Sequence, residues 1–368
     1  MLKFHKILRN GSFINRHIGI GNKDKSIMLK KCNVNDMTEL IEKSTYISEK
    51  DYSKIFLKGT ECEYESQENL KKILDLNKNV KYHIGLGYYN TKLPYPIKRH
   101  ILENPKWYTA YTPYQAEISQ GRLESQYNYQ TVIKELTGLP VSNASLLDES
   151  SASGEALNLC FRYFKDKRKK FIYSDKLFPQ VIEVLKTKAE LLNVELLSVN
   201  LENDISSEID KIELDEVCGF LFQYPDIYGN INIPNNFIDL LKQNKVLIVS
   251  SCDLLSLTHI KSPGEIGVDI SFGNSQRLGV PLWFGGPHPA FFSVQDKLLR
   301  FLPGRIIGES IDSLNNKAYR LGLQTREQHI RKEKATSNIC TAQSLLTNVV
   351  SFYSIYHGPD GLRKISQD

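Results

Sequence analysis

Between Trp107 and Gly154 the chain gathers residue types that do chemistry as well as fill space. Tyr108, Tyr111 and Tyr114 stand among Thr109, Thr112 and Gln115, with Glu117, Arg122 and Glu124 close behind. Phenols, hydroxyls, an amide and mixed charges at this density suit a wet, shaped pocket better than a plain core. Each phenol also reads as core packing with a satisfied hydroxyl. A second group, Ser150-Ser151-Ala152-Ser153-Gly154-Glu155, is small and polar. Ahead of a helix beginning near Glu155, such a segment lets backbone N–H groups and hydroxyls approach an anion at the positive end of the helix dipole. The same residues also read as an ordinary helix start capped by Ser153. The third candidate is Asp253, directly after the apolar run Val246–Ser251. Open α/β sheets put ligand-binding groups at the carboxyl ends of their strands. An Asp there serves equally as the N-cap of a helix over Leu254–Leu257.

The elements that must position these groups alternate. Ala156, Leu159, Cys160, Tyr163 and Phe164 follow the spacing of an amphipathic helix. Strand-like runs come next at Phe171–Tyr173, Val194–Ser198, Gly219–Phe222 and Val246–Val249, separated by helical stretches that include Val181–Leu192 and Phe237–Gln243. Strands alternating with helices predict βαβ units and a mostly parallel sheet flanked by helices. Residues 1–80 are polar and helix-forming, with runs at Met37–Ile41 and Leu70–Leu76, and read as an amino-terminal extension. Near the other end, Ala342, Leu345, Leu346, Val349 and Tyr353 share a helix face, and His357-Gly358-Pro359 is the stop signal.

Composition excludes several classes. The 368 residues are 41% hydrophobic and 24% charged, as in globular proteins. No apolar run approaches the roughly 20 residues of a membrane span. A net charge of +5, from 47 basic and 42 acidic residues, is too small to imply nucleic acid. The run Lys165–Lys170 reads as a solvated turn. The six cysteines are scattered without a CxxC pair, which reads as free thiols in a reducing compartment. His83, His259 and His288 have no companions at ligand spacing, so no metal is assigned. Lys3, Lys6, Arg9 and Arg16 precede the first acidic residue, Asp24. That start suits a mitochondrial presequence or a simple basic terminus.

The stretch Trp107–Gly154 closely resembles the amino-terminal half of the P-proteins of the glycine cleavage system, the pyridoxal-phosphate-dependent glycine decarboxylases. So do Phe13–Gly19, Gly273–Pro281 with Gly285-Gly286-Pro287-His288, Gly304-Arg305, Tyr319-Arg320, Gln324–Arg331 and Lys334–Gln343. The resemblance runs from Phe13 to the end of the chain. It implies an α/β fold, the large domain of fold-type-I pyridoxal-phosphate-dependent transferases, over residues 81–368. Most of the smaller carboxy-terminal domain is expected to be missing. It implies an oligomer, in the mitochondrial matrix or the bacterial cytoplasm, whose partners are the carboxy-terminal half of the P-protein and the lipoylated H-protein.

Enzymes of this kind need a Schiff-base lysine, an acid facing the pyridine nitrogen, a phosphate cradle and a group stacked on the ring. On the resemblance, Ser151, Ser153 and Gly154 belong to the cradle and Asp253 is the acid. Ser150, Ser151 and Ser153 stand where this half of the family often has Gly, Thr or Ala. Aligning Pro281 and the Gly-Gly-Pro turn places Gln276 where the catalytic half has its lysine. Neither an amide nor the neighbouring guanidinium of Arg277 replaces that amine. The family pattern therefore assigns the covalent cofactor to the carboxy-terminal half. This chain becomes a pocket wall, with Tyr111, Thr112, Tyr114 and Gln115 as the groups presented and Asn90 and His288 as weaker candidates. Two other readings stand beside it: a non-catalytic stabilising subunit, and an independent enzyme using a different lysine such as Lys261. The basic residues Arg326, His329, Arg331, Lys332 and Lys334 read as an anion site or as an ion-paired helix. Without its partner half, the chain is expected to expose the apolar face of Leu345, Leu346, Val349 and Tyr353.

Overall fold

The computed structural model describes residues 17, 19–48, 51, 62–78, 80–81, 83–109, 111–201, 212–324, 328–335, 339 and 342–368. The basic residues Lys3, Lys6, Arg9 and Arg16 lie outside them, as do Arg326 and Cys340. The chain divides into two compact units, Met1–Lys81 and Tyr82–Asp368.

The first unit contains helices α1 (Asn22–Lys31), α2 (Met37–Ser44) and α3 (Glu63–Leu74). Asp36 starts α2 by accepting the backbone N–H of Glu39 at 2.9 Å, as an N-cap should. Neither α2 nor α3 buries a residue.

The second unit is built on a seven-stranded sheet. Its strands are β1 (Val141–Ser142), β2 (Lys170–Ser174), β3 (Glu195–Val199), β4 (Val217–Tyr224), β5 (Leu247–Cys252), β6 (Ile270–Asn274) and β7 (Ala290–Val294). Their order is β1-β7-β6-β5-β4-β2-β3. β3, β2, β4, β5 and β6 run parallel, while β7 is antiparallel to both β6 and β1. Every residue of β4 and β5 is buried, which is why both read as continuous apolar runs rather than alternating ones. An antiparallel hairpin, β8 (Ile306–Ile311) and β9 (Lys317–Gly322), forms a separate sheet.

Helices cover both faces of the large sheet. α4 (Gln120–Thr137), α7 (Asn235–Gln243) and α8 (Ser344–Gln367) contribute to one core with Phe220, Phe222 and Ile248. α5 (Glu149–Tyr163) and α6 (Pro179–Leu192) contribute to the other with Phe171, Leu221, Val249 and Phe272. Gly154 lets α5 and α6 approach: a Cβ there would come within 2.8 Å of Lys188 Cγ. The architecture is the expected mostly parallel α/β class.

Three expectations change. α5 begins at Glu149, capped by Asp148, whose carboxylate accepts the Ser151 N–H at 2.7 Å. Ser150–Glu155 is therefore helix from its first residue, where the small polar composition read as a loop. Second, the face of Leu346, Val349 and Tyr353 is buried against the core beside α4, not exposed. The stop expected at His357-Gly358-Pro359 holds: Gly358 takes a non-helical φ of 64°, and a second helical segment starts at Pro359 and runs to Gln367, since Pro is favourable at a first helical position. Third, the run Lys165–Lys170 is not simply solvated. Arg168 donates to the carbonyls of Val217 and Asn244 at 2.9 and 3.1 Å, and Lys170 pairs with Glu216 at 2.6 Å. No helix among the described residues is long and apolar enough to cross a membrane.

Candidate active-site wall

β4 lies on the opposite side of β2 from β3. Such a reversal leaves a crevice at the carboxyl ends of the strands. Here the crevice is a cavity of about 220 Å³. Gln223 and Pro225 line it from the end of β4, Ser251, Cys252 and Asp253 from β5, and Asn274 and Arg277 from β6. Glu149, at the start of α5, closes its floor, and Gly87 and Tyr89 reach it from an earlier loop.

The sequence placed Asp253 at a strand end facing a ligand site, and the structure puts it on the cavity wall. It also forms an ion pair with Arg277, and its Oδ1 accepts the Leu255 N–H at 3.2 Å. Of its two sequence readings, the structure shows the capping one in altered form: Asp253 holds a turn that leads into a short 3-10 helix at Ser256–Thr258 rather than a helix over Leu254–Leu257. Arg277 in turn sits over the Tyr89 ring, 4.9 Å from its centroid.

Gln276 is wholly buried. Its Nε2 donates to the carbonyls of Tyr89 and Val280, both at 2.7 Å, and its Oε1 accepts the Tyr89 N–H at 3.2 Å. The amide is fully committed to backbone. A lysine could supply the donors but not the acceptor.

Glu149 is the group that reading from sequence missed. Its side chain is buried and accepts the Ser251 hydroxyl at 2.6 Å. Burial pushes its carboxyl up to about 7, partly offset by the Ser251 bond, with Asp253 pushing in the same direction as burial. The available signal was Asp148 followed by Glu149, the acidic start of a helix. Burial likewise raises the Cys252 thiol to about 12, which makes it inert rather than nucleophilic.

These features do not fit pyridoxal phosphate in this cavity. The lysine place holds an amide. The helix end that should meet a phosphate is already capped by the Asp148 carboxylate, with the buried Glu149 carboxyl beside it. Ser153 donates to the Ser150 carbonyl at 2.6 Å and is wholly buried, and Ser151 and Gly154 are inside the same helix. Ser151, Ser153 and Gly154, expected in a cradle, thus lie inside α5, where the Ser151 N–H serves the Asp148 cap. Lys261 is exposed in the turn before a short helix at Pro263–Ile266 and is not among the residues lining the cavity.

The tyrosine cluster lies elsewhere. None of Tyr111, Thr112, Tyr114 and Gln115 lines this cavity. Tyr111, Thr112 and Gln115 are exposed in the turn before α4, where the Tyr111 hydroxyl donates to Gln115 Oε1. Arg122 fixes that turn by donating to the carbonyls of Tyr111 and Thr112 and to the Ser119 hydroxyl at 2.9, 3.2 and 2.6 Å. Tyr114 turns inward. Its ring packs with Leu123, Ala144 and Ile307, under the Arg305 guanidinium at 4.3 Å. His288 is buried against Tyr88, with ring centroids 5.0 Å apart, and burial lowers its pKa. Of the basic residues Arg326–Lys334, Gln328–Arg331 forms one helical turn, and Lys332 and Lys334 are exposed. Among the described residues no group of three or more His, Cys, Asp or Glu is placed to hold a metal ion.

Comparison with known proteins fits this geometry. The family model described as "Glycine cleavage system P-protein" matches residues 15–368. The mitochondrial glycine dehydrogenase (decarboxylating) of Mus musculus is 46% identical over 361 residues, which is 98% of this chain and 34% of that protein. The enzyme of the same name from Pelagibacter ubique is 45% identical, covering 96% of this chain and 36% of its own. The chain thus spans about a third of the length of these relatives, which are of mitochondrial and bacterial origin. A crystal structure of glycine decarboxylase (P-protein) in inhibitor-bound form superimposes with a TM-score of 0.82 at 30% identity, over 95% of this chain and 78% of that one. A cysteine desulfurase from Thermococcus onnurineus, at 12% identity and a TM-score of 0.52 over 84% of this chain and 74% of its own, shares the fold alone. The fold is that of the pyridoxal-phosphate-dependent fold-type-I enzymes, and the chain belongs to the glycine cleavage system P-protein family.

Proposed function

We propose that this chain is the amino-terminal half of a glycine decarboxylase and forms one wall of its active site. In this reading pyridoxal phosphate is held by the lysine of the carboxy-terminal half. Glycine is decarboxylated there, and the aminomethyl group passes to the lipoyl arm of the H-protein. Bound in that half, the cofactor supplies an electron sink for the charge left when carbon dioxide departs.

The observation that carries this reading is Gln276. It stands at the aligned lysine position, wholly buried, with its amide spent on three hydrogen bonds to backbone. The acidic start of α5, where a phosphate would have to sit, supports the same division of labour. What this chain contributes is shape, water exclusion and fixed dipoles. Tyr111, Thr112 and Gln115 suit that role, being exposed and pre-ordered by Arg122. Tyr114 supports them from beneath.

The test is to mix the purified chain with a carboxy-terminal half and assay glycine–bicarbonate exchange. Exchange should require both chains. Borohydride reduction with pyridoxal phosphate should leave this chain without a stoichiometric pyridoxyl-lysine. A single fully modified lysine here, or exchange by this chain alone, would overturn the assignment.

A further inference from the structure

Gln276 does more than stand in for a missing lysine. The segment Gly85–Thr91 makes an unusual passage, with φ of 69° at Gly85, 55° at Leu86 and 89° at Gly87. Consecutive left-handed residues cannot join a regular ladder, so their backbone groups need other partners. Three side-chain amides provide them. Gln180 Nε2 donates to the Leu86 carbonyl at 2.9 Å, Asn274 Nδ2 to the Gly87 carbonyl at 3.2 Å, and Gln276 Nε2 to the Tyr89 carbonyl at 2.7 Å. Gln276 alone also accepts, from the Tyr89 N–H, so it pairs with that residue as a neighbouring strand would. The Thr91 hydroxyl completes the strap by donating to the Val280 carbonyl at 2.9 Å, the same carbonyl that Gln276 holds.

The strap has two sides. Gly87 and Tyr89 line the sheet-edge cavity. Gly85, Tyr88, Tyr89 and Asn90, with His83 and Leu282, line a separate hollow of about 300 Å³. Tyr88 is braced by the buried His288. There is no room to tighten the inner side. A Cβ on Gly87 would come within 2.9 Å of the Phe178 ring and 3.3 Å of Glu149 Oε2.

We propose that Gln276 is a positioning residue: its carboxamide clasps the Gly85–Thr91 strap so that Tyr88 and Asn90 form a fixed edge of the reaction pocket. The proposal rests on the half-enzyme reading above and names a second part of its wall, distinct from the Tyr111 turn. A carboxamide is the one common side-chain group that offers a donor and an acceptor together in a planar arrangement matching a peptide unit.

The test uses the full chain mixed with a carboxy-terminal half, comparing Gln276→Leu, Gln276→Glu and Thr91→Val. Hydrogen exchange of the chain alone reads the clasp. Gln276→Leu should speed exchange of the Tyr89 amide about tenfold or more, the loss of one buried bond, while β4 and β5 amides stay protected. Gln276→Glu keeps the acceptor and should fall between Leu and wild type. In the reconstituted enzyme kcat should fall about tenfold to hundredfold, as for a misplaced wall, with glycine KM and affinity between the halves nearly unchanged. Should Gln276→Leu fail to fold, Thr91→Val tests the strap from its outer end without disturbing the buried amide, and a smaller kcat loss in step with its exchange is expected. Unchanged exchange at Tyr89 would overturn the clasp. Faster exchange with normal turnover would overturn positioning and leave the half-enzyme reading intact. A wild-type mixture without activity would overturn that reading itself, and the positioning role with it.

Discussion

Glu149→Gln is the perturbation whose size can be worked from the structure. The carboxyl is buried at the start of α5, its Oε1 taking the Ser251 hydroxyl at 2.6 Å. Burial, reinforced by Asp253 and Asp148 and opposed by Ser251 and Asn274, raises its pKa from 4.5 to about 7. Between these values the folded chain holds a proton that the unfolded chain has released. Stability therefore falls as pH rises through the window, the reverse of an ordinary ion-paired carboxylate. At about 1.4 kcal/mol per pH unit, the span from 4.5 to about 7 opposes folding by up to roughly 3 kcal/mol above the window.

An amide of the same shape keeps an oxygen for Ser251 and removes the titration. Wild type and Glu149→Gln should differ little near pH 4.5. The variant should then gain on the wild type by up to roughly 3 kcal/mol by pH 7.5, or about 6 °C in melting temperature for a domain of this size. Paired thermal melts at several pH values read the difference directly. His288 and His357, whose pKa values burial lowers, add their own pH dependence, but it appears in both proteins and cancels. Parallel pH profiles would refute the reasoning and show that Glu149 is not held neutral by burial.

Three other outcomes follow from the same structure. Tyr111→Phe keeps an exposed ring and removes a hydroxyl bonded to Gln115; a reconstituted enzyme should lose about ten- to hundredfold in rate, equivalent to about 1.5–3 kcal/mol, with its melting temperature almost unmoved, whereas normal turnover would remove Tyr111 from the pocket. Gly279→Ala should destabilise by about 3 kcal/mol or more, since φ is +86° and the added Cβ would meet Tyr353 Cδ2 at 2.3 Å; a melt matching wild type would show that α8 does not pack there. Leu346→Ala should cost about 2–5 kcal/mol because that residue is buried in the core, and a surface-like loss of a few tenths would restore the exposed-face expectation.

How much of this was legible in the sequence follows from which interactions are local. The strands β2 to β5 and the helices between them announced themselves through apolar runs and helical spacing, because burying those side chains is what fixes them. Position within a parallel sheet then carries Asp253 to the crevice, so its place on the cavity wall followed from topology alone. The errors occurred where the deciding partner is distant or where composition suits two backbones. Ser150–Gly154 is small and polar enough for a loop, yet the cap that makes it helix is Asp148, just outside the segment singled out. Leu346, Val349 and Tyr353 read as an orphan face because their partners in the core lie far back along the chain, Ile133 and Tyr129 on α4 among them. Gln276 shows both sides of the limit. Its type and place singled it out in the sequence, but its bonds to Tyr89 span 187 residues, and no local pattern encodes them. Position 276 is wholly buried, so the polar atoms of its side chain need partners. An amide satisfies them by taking hold of the strap, which is how one buried polar residue orders a loop far from it in the sequence.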